Sequence, residues 1–190
     1  DVYKRQNMSR IHKINGANGQ LIWTKTISNT VGFGITEIYE SGRVDYIVSG
    51  GKGNSQERWI ARLNGDDGSI IWDRTYNFAG GANEFDGIRM TIVGSDGYIY
   101  ASGFVKGDEA GTIFIVYAGQ AVVMKVDPTD GSEIWTDINP NSEYSVALVE
   151  STNDYLYSAG TRWAEDLSIT KIDKFGNRFW TEDIPNTLEV

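Results

Sequence analysis

The chain has no cysteine, one histidine and three prolines among its 190 residues. Without Cys there can be no disulfide, no thiolate metal site and no cysteine nucleophile. Without a second His, a zinc site built from a histidine cluster is excluded within these residues. Positive charge is also scarce: 17 Lys and Arg stand against 26 Asp and Glu, a net charge of −9. That balance argues against nucleic acid as a partner, because phosphates call for Lys and Arg gathered on one face. No basic amphipathic stretch suggests a membrane surface. The longest nearly apolar run, Ile113 to Met124, is 12 residues and includes Gln120. A bilayer crossing needs about 20, so this run reads as a buried strand or loop, with no membrane span. Helical periodicity is missing too: apolar residues at i, i+3, i+4 and i+7 never persist beyond a turn.

What the chain does contain is repetition. Two alternating apolar residues, Asn or Asp, a short turn ending in Gly, and a Trp four residues later occur four times. The copies run Lys13-Ile14-Asn15 with Gly19 and Trp23, Arg62-Leu63-Asn64 with Gly68 and Trp72, Lys125-Val126-Asp127 with Gly131 and Trp135, and Lys171-Ile172-Asp173 with Gly176 and Trp180. Asn or Asp at the start of such a turn can bond the backbone two residues on, and Gly accepts positive φ. Upstream of three copies lies a second block: Tyr46-Ile47-Val48-Ser49 with Gly51, Tyr98-Ile99-Tyr100-Ala101 with Gly103, and Tyr155-Leu156-Tyr157-Ser158 with Gly160. Each reads as a short strand ending in a turn at Gly. Before each of these comes another apolar stretch, Ile35 to Tyr39, Met90 to Val93 and Val146 to Val149. The unit is therefore four short strands, A to D, joined by hairpins, with Trp on D. Strand C carries Ile11, Ile60, Val123 and Ile169 on one side and Ile14, Leu63, Val126 and Ile172 on the other. Strands apolar on both faces belong to sheets covered on both sides. The expected fold is all-β, a β-propeller of four-stranded antiparallel blades stacked about an axis.

At these residues the chain resembles the β-propeller repeats of bacterial surface and secreted proteins, often called SBBP repeats. It is similar, more distantly, to the repeats of pyrroloquinoline-quinone (PQQ) enzyme propellers and of outer-membrane assembly lipoproteins. In the quinoprotein pattern Ala usually precedes the Asp by two residues; here that position is Lys13, Arg62, Lys125 and Lys171. The basic residue weakens any inference of a quinone, and no cofactor is expected. The resemblance implies a non-catalytic binding or scaffold module of an extracellular, cell-surface or periplasmic protein. Its expected partner is a protein or glycan. The alternative is a fragment of a propeller enzyme, a quinoprotein-like dehydrogenase or a hydrolase, with catalytic residues in missing blades; fold alone does not separate the two.

The repeats supply about three and a half blades, fewer than the four to eight of a typical closed ring. Residues 1–8 are expected to be a non-native or disordered lead, since Asp1 to Gln6 match no part of the repeat. Residues 9–27 give a half blade of strands C and D. Blades follow at 28–77, 78–139 and 140–184, and 185–190 form a tail or the start of a next blade. The expectation is an incomplete ring cut from a longer one, with open blade edges that favour self-association. One blade is longer than the others: Tyr98 to Asp127 spans 29 positions where Tyr46 to Asn64 and Tyr155 to Asp173 span 18. The additional residues fall in the B–C loop, within Lys106 to Gln120. That loop shares an end of the blades with the D–A connections, Asn77 to Gly87 and Asp137 to Tyr144. Variable loops on a rigid scaffold are where binding concentrates, so this face is the candidate functional surface.

No residue is assigned a catalytic, cofactor-binding or metal-binding role. The turns at Asn64 to Gly68 and Asp127 to Gly131 invite a calcium reading, but the Glu an EF-hand needs at its twelfth position is Thr75 or Ile138. They are expected to be hairpin turns. Glu84, Asp86, Asp108 and Glu109 could meet on the loop face around a cation or sugar, against the plainer reading of solvated acids. His12 shares a column with Ala61, Met124 and Thr170, which suits packing or an exposed edge better than catalysis. Gly50-Gly51-Lys52-Gly53 lacks both the spacing and the helix of a phosphate loop. Six Trp and ten Tyr could stack on sugars, but four Trp hold one repeated position, which favours packing between sheets.

Overall fold

In the computed structural model the described residues are 8–53, 57–76, 85–107, 119–162 and 166–185. Most of the expected lead, 1–7, and of the expected tail, 186–190, lies outside them. Among the described residues every regular element is a strand, and no helix is long and apolar enough to cross a membrane. Strands β1 (Met8–Ile14) and β2 (Leu21–Ser28) form a hairpin. Strands β3 (Thr30–Glu40), β4 (Arg43–Lys52), β5 (Glu57–Leu63) and β6 (Ile70–Tyr76) make the first four-stranded sheet. The second holds β7 (Phe85–Val93), β8 (Ile99–Gly107), β9 (Gln120–Val126) and β10 (Glu133–Asn139). The third holds β11 (Tyr144–Glu150), β12 (Tyr155–Arg162), β13 (Asp166–Asp173) and β14 (Arg178–Ile184). Within each sheet sequential strands are neighbours and all pairings are antiparallel. The order of strands is the expected one, C and D, then A to D three times.

Two details differ from the expectation. The glycines at the end of each B block are not turns, because β4, β8 and β12 run straight through them. A Cβ at Gly50, Gly103 or Gly160 would collide with the carbonyl oxygen of Val31, Gly87 or Tyr144 on the neighbouring strand. Each of those partner strands shifts register nearby, at Gly32/Gly34, Phe85/Gly87 and Ser145/Ala147. The glycine is there because a bulge presses a carbonyl against it. The second difference is alignment. Gly50, not Gly51, matches Gly103 and Gly160, since Tyr46 pairs with Leu63 as Ile99 pairs with Val126 and Leu156 with Ile172. The first block slips by one residue, and Asp45 stands where Tyr98 and Tyr155 stand in the other sheets.

The core is three layers, each lying between consecutive units. Ile11, Trp23 and Ile27 of the hairpin bury against Trp59, Ala61 and Leu63. Ile60, Trp72 and Tyr76 bury against Ile88, Met124 and Val126. Tyr100, Val123 and the partly buried Trp135 meet Leu148, Leu156 and Ile172. A sheet in the middle of the stack is thus apolar on both faces because both are covered. The two end units are different. Residues on one face of β1 are exposed, Ile14 by 60%, whereas the equivalent Leu63, Val126 and Ile172 are wholly buried.

Candidate functional surfaces

The repeated Asn/Asp-to-Gly turn is built as its chemistry predicts. In all four copies the side-chain oxygen of Asn15, Asn64, Asp127 or Asp173 accepts the amide two residues on, at 2.8 to 2.9 Å. The closing glycines have φ between 71° and 89°. The two turns with a calcium-like composition therefore commit their oxygens to their own backbone. Asp67 and Asp130 likewise accept the amides of Ser69 and Ser132. The Ser69 and Ser132 donors hold both carboxyls below the usual carboxylate range.

What the sequence did not reveal is where those turns sit. The indole N–H of Trp23 donates to the carbonyl of Gly65 at 3.0 Å, that of Trp72 to Pro128 at 2.8 Å, and that of Trp135 to Lys174 at 3.0 Å. Each acceptor is the residue just after the Asn or Asp of the turn in the next sheet. The turn's Gly lies flat on the same ring: a Cβ at Gly68, Gly131 or Gly176 would come within 2.7 to 2.9 Å of Trp23, Trp72 or Trp135. Gly is thus required twice, by its positive φ and by the indole beneath it. The motif is one contact divided between two sheets.

The basic residue two positions before the Asn or Asp joins this contact. Lys13 reaches the Gly65 carbonyl at 2.6 Å and Arg62 the Pro128 carbonyl at 2.9 Å, so one oxygen accepts both the indole and the cation. Arg62 also pairs with Asp45 at 2.6 Å and with Glu40. Burial pushes the Asp45 carboxyl up, but donors from Arg43, Arg62 and the Gly65 amide outweigh it and hold the pKa at about 2. Where a Tyr replaces Asp45, the cation lies over the ring instead. Lys125 is 4.1 Å from the Tyr98 centroid and Lys171 is 3.7 Å from that of Tyr155. Lys125 also bonds Asp96 at 2.9 Å.

A second convergence lies apart from the turn motif. Arg89 on β7 lies 5.3 Å from the ring centroids of Phe33 and Phe104 and 5.4 Å from that of Tyr144. Burial pushes its pKa down. Rings from three different sheets surround this guanidinium, a placement that no spacing in the sequence announces.

The expected loop surface is partly placed. Asp86 is buried, and its carboxylate accepts the Lys106 amide at 2.9 Å, so it serves the fold. Glu84, Asp108 and Glu109, positions 108–118 of the insertion, and 77–84 of the connection before β7 lie outside the described residues. Asp137 and Asn139, at the other connection, both bind Arg178. Lys52 of the glycine-rich stretch pairs with Asp73 at 2.7 Å, which also accepts the Trp59 indole. His12 lies on the exposed face of β1, where Nδ1 is 2.9 Å from the Thr24 hydroxyl. Among the described residues no three His, Asp or Glu converge as a metal site.

Open cavities lie among the described residues. One, about 640 Å³, runs along the edge of β1 and is lined by Ser9, Ile11, Thr30, Phe33 and Ile35 among others. Another, about 630 Å³, lies at the turn end between the second and third sheets, among Asp96, Lys125, Asp154, Tyr155, Lys174 and Phe175. Lys174 closes its floor by bonding Ser95 and Asp154. Compared with known proteins, the chain matches no family model and no curated protein sequence.

Proposed function

We propose that the chain is part of a β-propeller of the SBBP-like kind, a non-catalytic scaffold of a secreted, periplasmic or cell-surface protein, presenting its B–C and D–A loops to a protein or glycan. The carrying observation is the order of contacts between sheets. The first strand of a sheet packs on the sheet before it, β7 on β3, β4 and β5 and β11 on β8, β7 and β9, while fourth strands reach the next sheet through its turn. Consecutive sheets that stack face to face, with an indole between them toward the fourth strand, support this reading, since the blades of a propeller stack in that way.

The displaced pKa values support a scaffold over a reaction centre. Asp45, Asp96 and Glu150 are each held low by donors that tie strands, turns or sheets together. Binding then belongs to the loops, where length varies between otherwise equal units. A glycan array probed with the whole chain and with a variant whose residues 106–120 are replaced by a two-residue turn tests this. Binding to a defined glycan class that disappears in the variant, at an unchanged melting temperature, is the expected result. Equal binding by both proteins would remove the loop from the proposal.

A further inference from the structure

We infer that the cavity at the turn end between the second and third sheets is a subsite for a neutral sugar ring, with Phe175 and Phe179 as its stacking surface. Both phenylalanines line this space of about 630 Å³, together with Asp96, Lys125, Asp154 and Lys174. Its size falls among pockets that hold a small ligand, about 300 to 1,000 Å³. Phe175 is 84% exposed and Phe179 55% exposed. Two large rings that gain the fold so little burial, on one cavity, mark a surface kept for a ligand. Their exposure belongs to their positions and not to the want of a neighbouring sheet. Asp66 and Thr129 hold the place of Phe175 in the first and second sheets, and Ile71 and Ile134 that of Phe179. All four are exposed with another sheet beyond them, yet only the third sheet puts rings at both places. The rings are also set in place beforehand. Phe179 meets Tyr155 edge to face with centroids 5.4 Å apart, and the Phe175 amide donates to the Asp173 carboxylate at 2.9 Å.

The polar walls decide the charge of the ligand. Lys125 pairs with Asp96, and Lys174 with Glu150 and Asp154. Asp173 spends both oxygens on its own turn. An ionic ligand would have to break one of these pairs, at the cost of leaving its partner unanswered. Hydroxyl groups need not, because a paired carboxylate keeps acceptor capacity. Asp154 takes Lys174 and Ser95 on Oδ1, which leaves Oδ2 to a ligand hydroxyl. A pyranose meets both demands: the C–H groups of one face lie on aromatic rings, and its rim carries hydroxyls. The inference concerns the turn end and not the loops, so it and the loop-binding proposal can fail separately.

The test is saturation-transfer NMR on the whole chain with the methyl glycosides of glucose, galactose, mannose and N-acetylglucosamine. At least one should bind with a Kd of about 1 to 10 mM, with the strongest transfer to the C–H protons of one ring face. Phe175→Ser, at an exposed turn position, should keep the melting temperature and weaken that binding about tenfold. Phe175→Tyr, which retains a ring, should bind as wild type does. Replacing residues 106–120 should leave this binding unchanged. Glucuronate and glucosamine should bind more weakly than the neutral sugars. Absence of binding by every neutral glycoside up to about 50 mM overturns the inference. So does binding that survives Phe175→Ser and Phe179→Ser together, or that is lost with residues 106–120, since the sugar would then lie elsewhere. Tighter binding of glucuronate or glucosamine overturns it as well, because the site would then select a charge.

Discussion

The first and third four-stranded sheets carry the same motif, and their Trp residues differ in whether another described sheet comes after them. Trp72 is covered by the turn of the second sheet and donates to Pro128, while Trp180 faces outward. Burial of a repeated aromatic is thus a property of its successor and not of its own sheet. The same comparison applies to the cation before the turn. Arg62 is buried against Asp45 inside the stack, whereas Lys171 lies over Tyr155 and Phe179 near the open end. The choice follows the facing residue and not the place in the stack: Asp45 pairs Arg62 by charge, while Tyr98 and Tyr155 put a ring beneath Lys125 and Lys171.

Removing the indole gives the largest contrast. Trp72→Ala leaves a cavity between two sheets and takes one of two donors from the Pro128 carbonyl, and should cost about 3 to 5 kcal/mol. Trp180→Ala, at a ring 39% exposed, should cost under about 1 kcal/mol. Equilibrium urea unfolding of both reads the difference, and equal losses would break the comparison. Next comes the buried ion pair. Asp45→Asn leaves Arg62 buried with a weaker partner, at a cost of about 3 kcal/mol, while Tyr155→Leu, which removes a ring beneath Lys171 and its edge contact with Phe179, should cost about 1 kcal/mol.

Acid sharpens that second contrast. The folded pKa of Asp45 is depressed from 3.8 to about 2, so the carboxylate's contribution is complete above pH 4 and is lost as pH falls toward 2. The depression corresponds to roughly 2 kcal/mol. In Asp45→Asn this part of the acid dependence should vanish, and a melting curve at pH 2.5 against pH 5 measures it. The smallest effect separates the two demands on glycine. Gly19→Ala and Gly68→Ala share the strain of positive φ, about 1 kcal/mol. Gly68→Ala adds the collision with Trp23 and should cost about 1 kcal/mol more. Identical melting temperatures would mean that the ring yields freely.

Much of this arrangement is legible in the chain. Four equal spacings from Gly to Trp fix the C–D hairpins, because an Asx turn closed by a left-handed Gly has few alternatives. The B-strand glycines look like turns in the sequence, since a bulge on the partner strand leaves no mark in the strand that accommodates it. The one-residue slip at Asp45 has a related cause: Tyr46 looks like Tyr98 and Tyr155, and only the pairing with β5 shows that Asp45 holds their place. The Arg89 cage is illegible because Phe33 holds the same bulge position as Arg89 one unit earlier but differs from it in residue type, while Phe104 and Tyr144 come from other positions of the unit.

The amino-acid sequence by itself determined the class of structure, the number of strands and the form of the turns, because these rest on alternation and on φ preferences within a few residues. Tertiary structure alone decided that Trp23, Trp72 and Trp135 each answer to the turn of the next sheet and that one carbonyl serves both indole and cation. Those contacts join residues about 40 to 65 positions apart, and a pattern with a local period carries no information about which of its copies will have a neighbour.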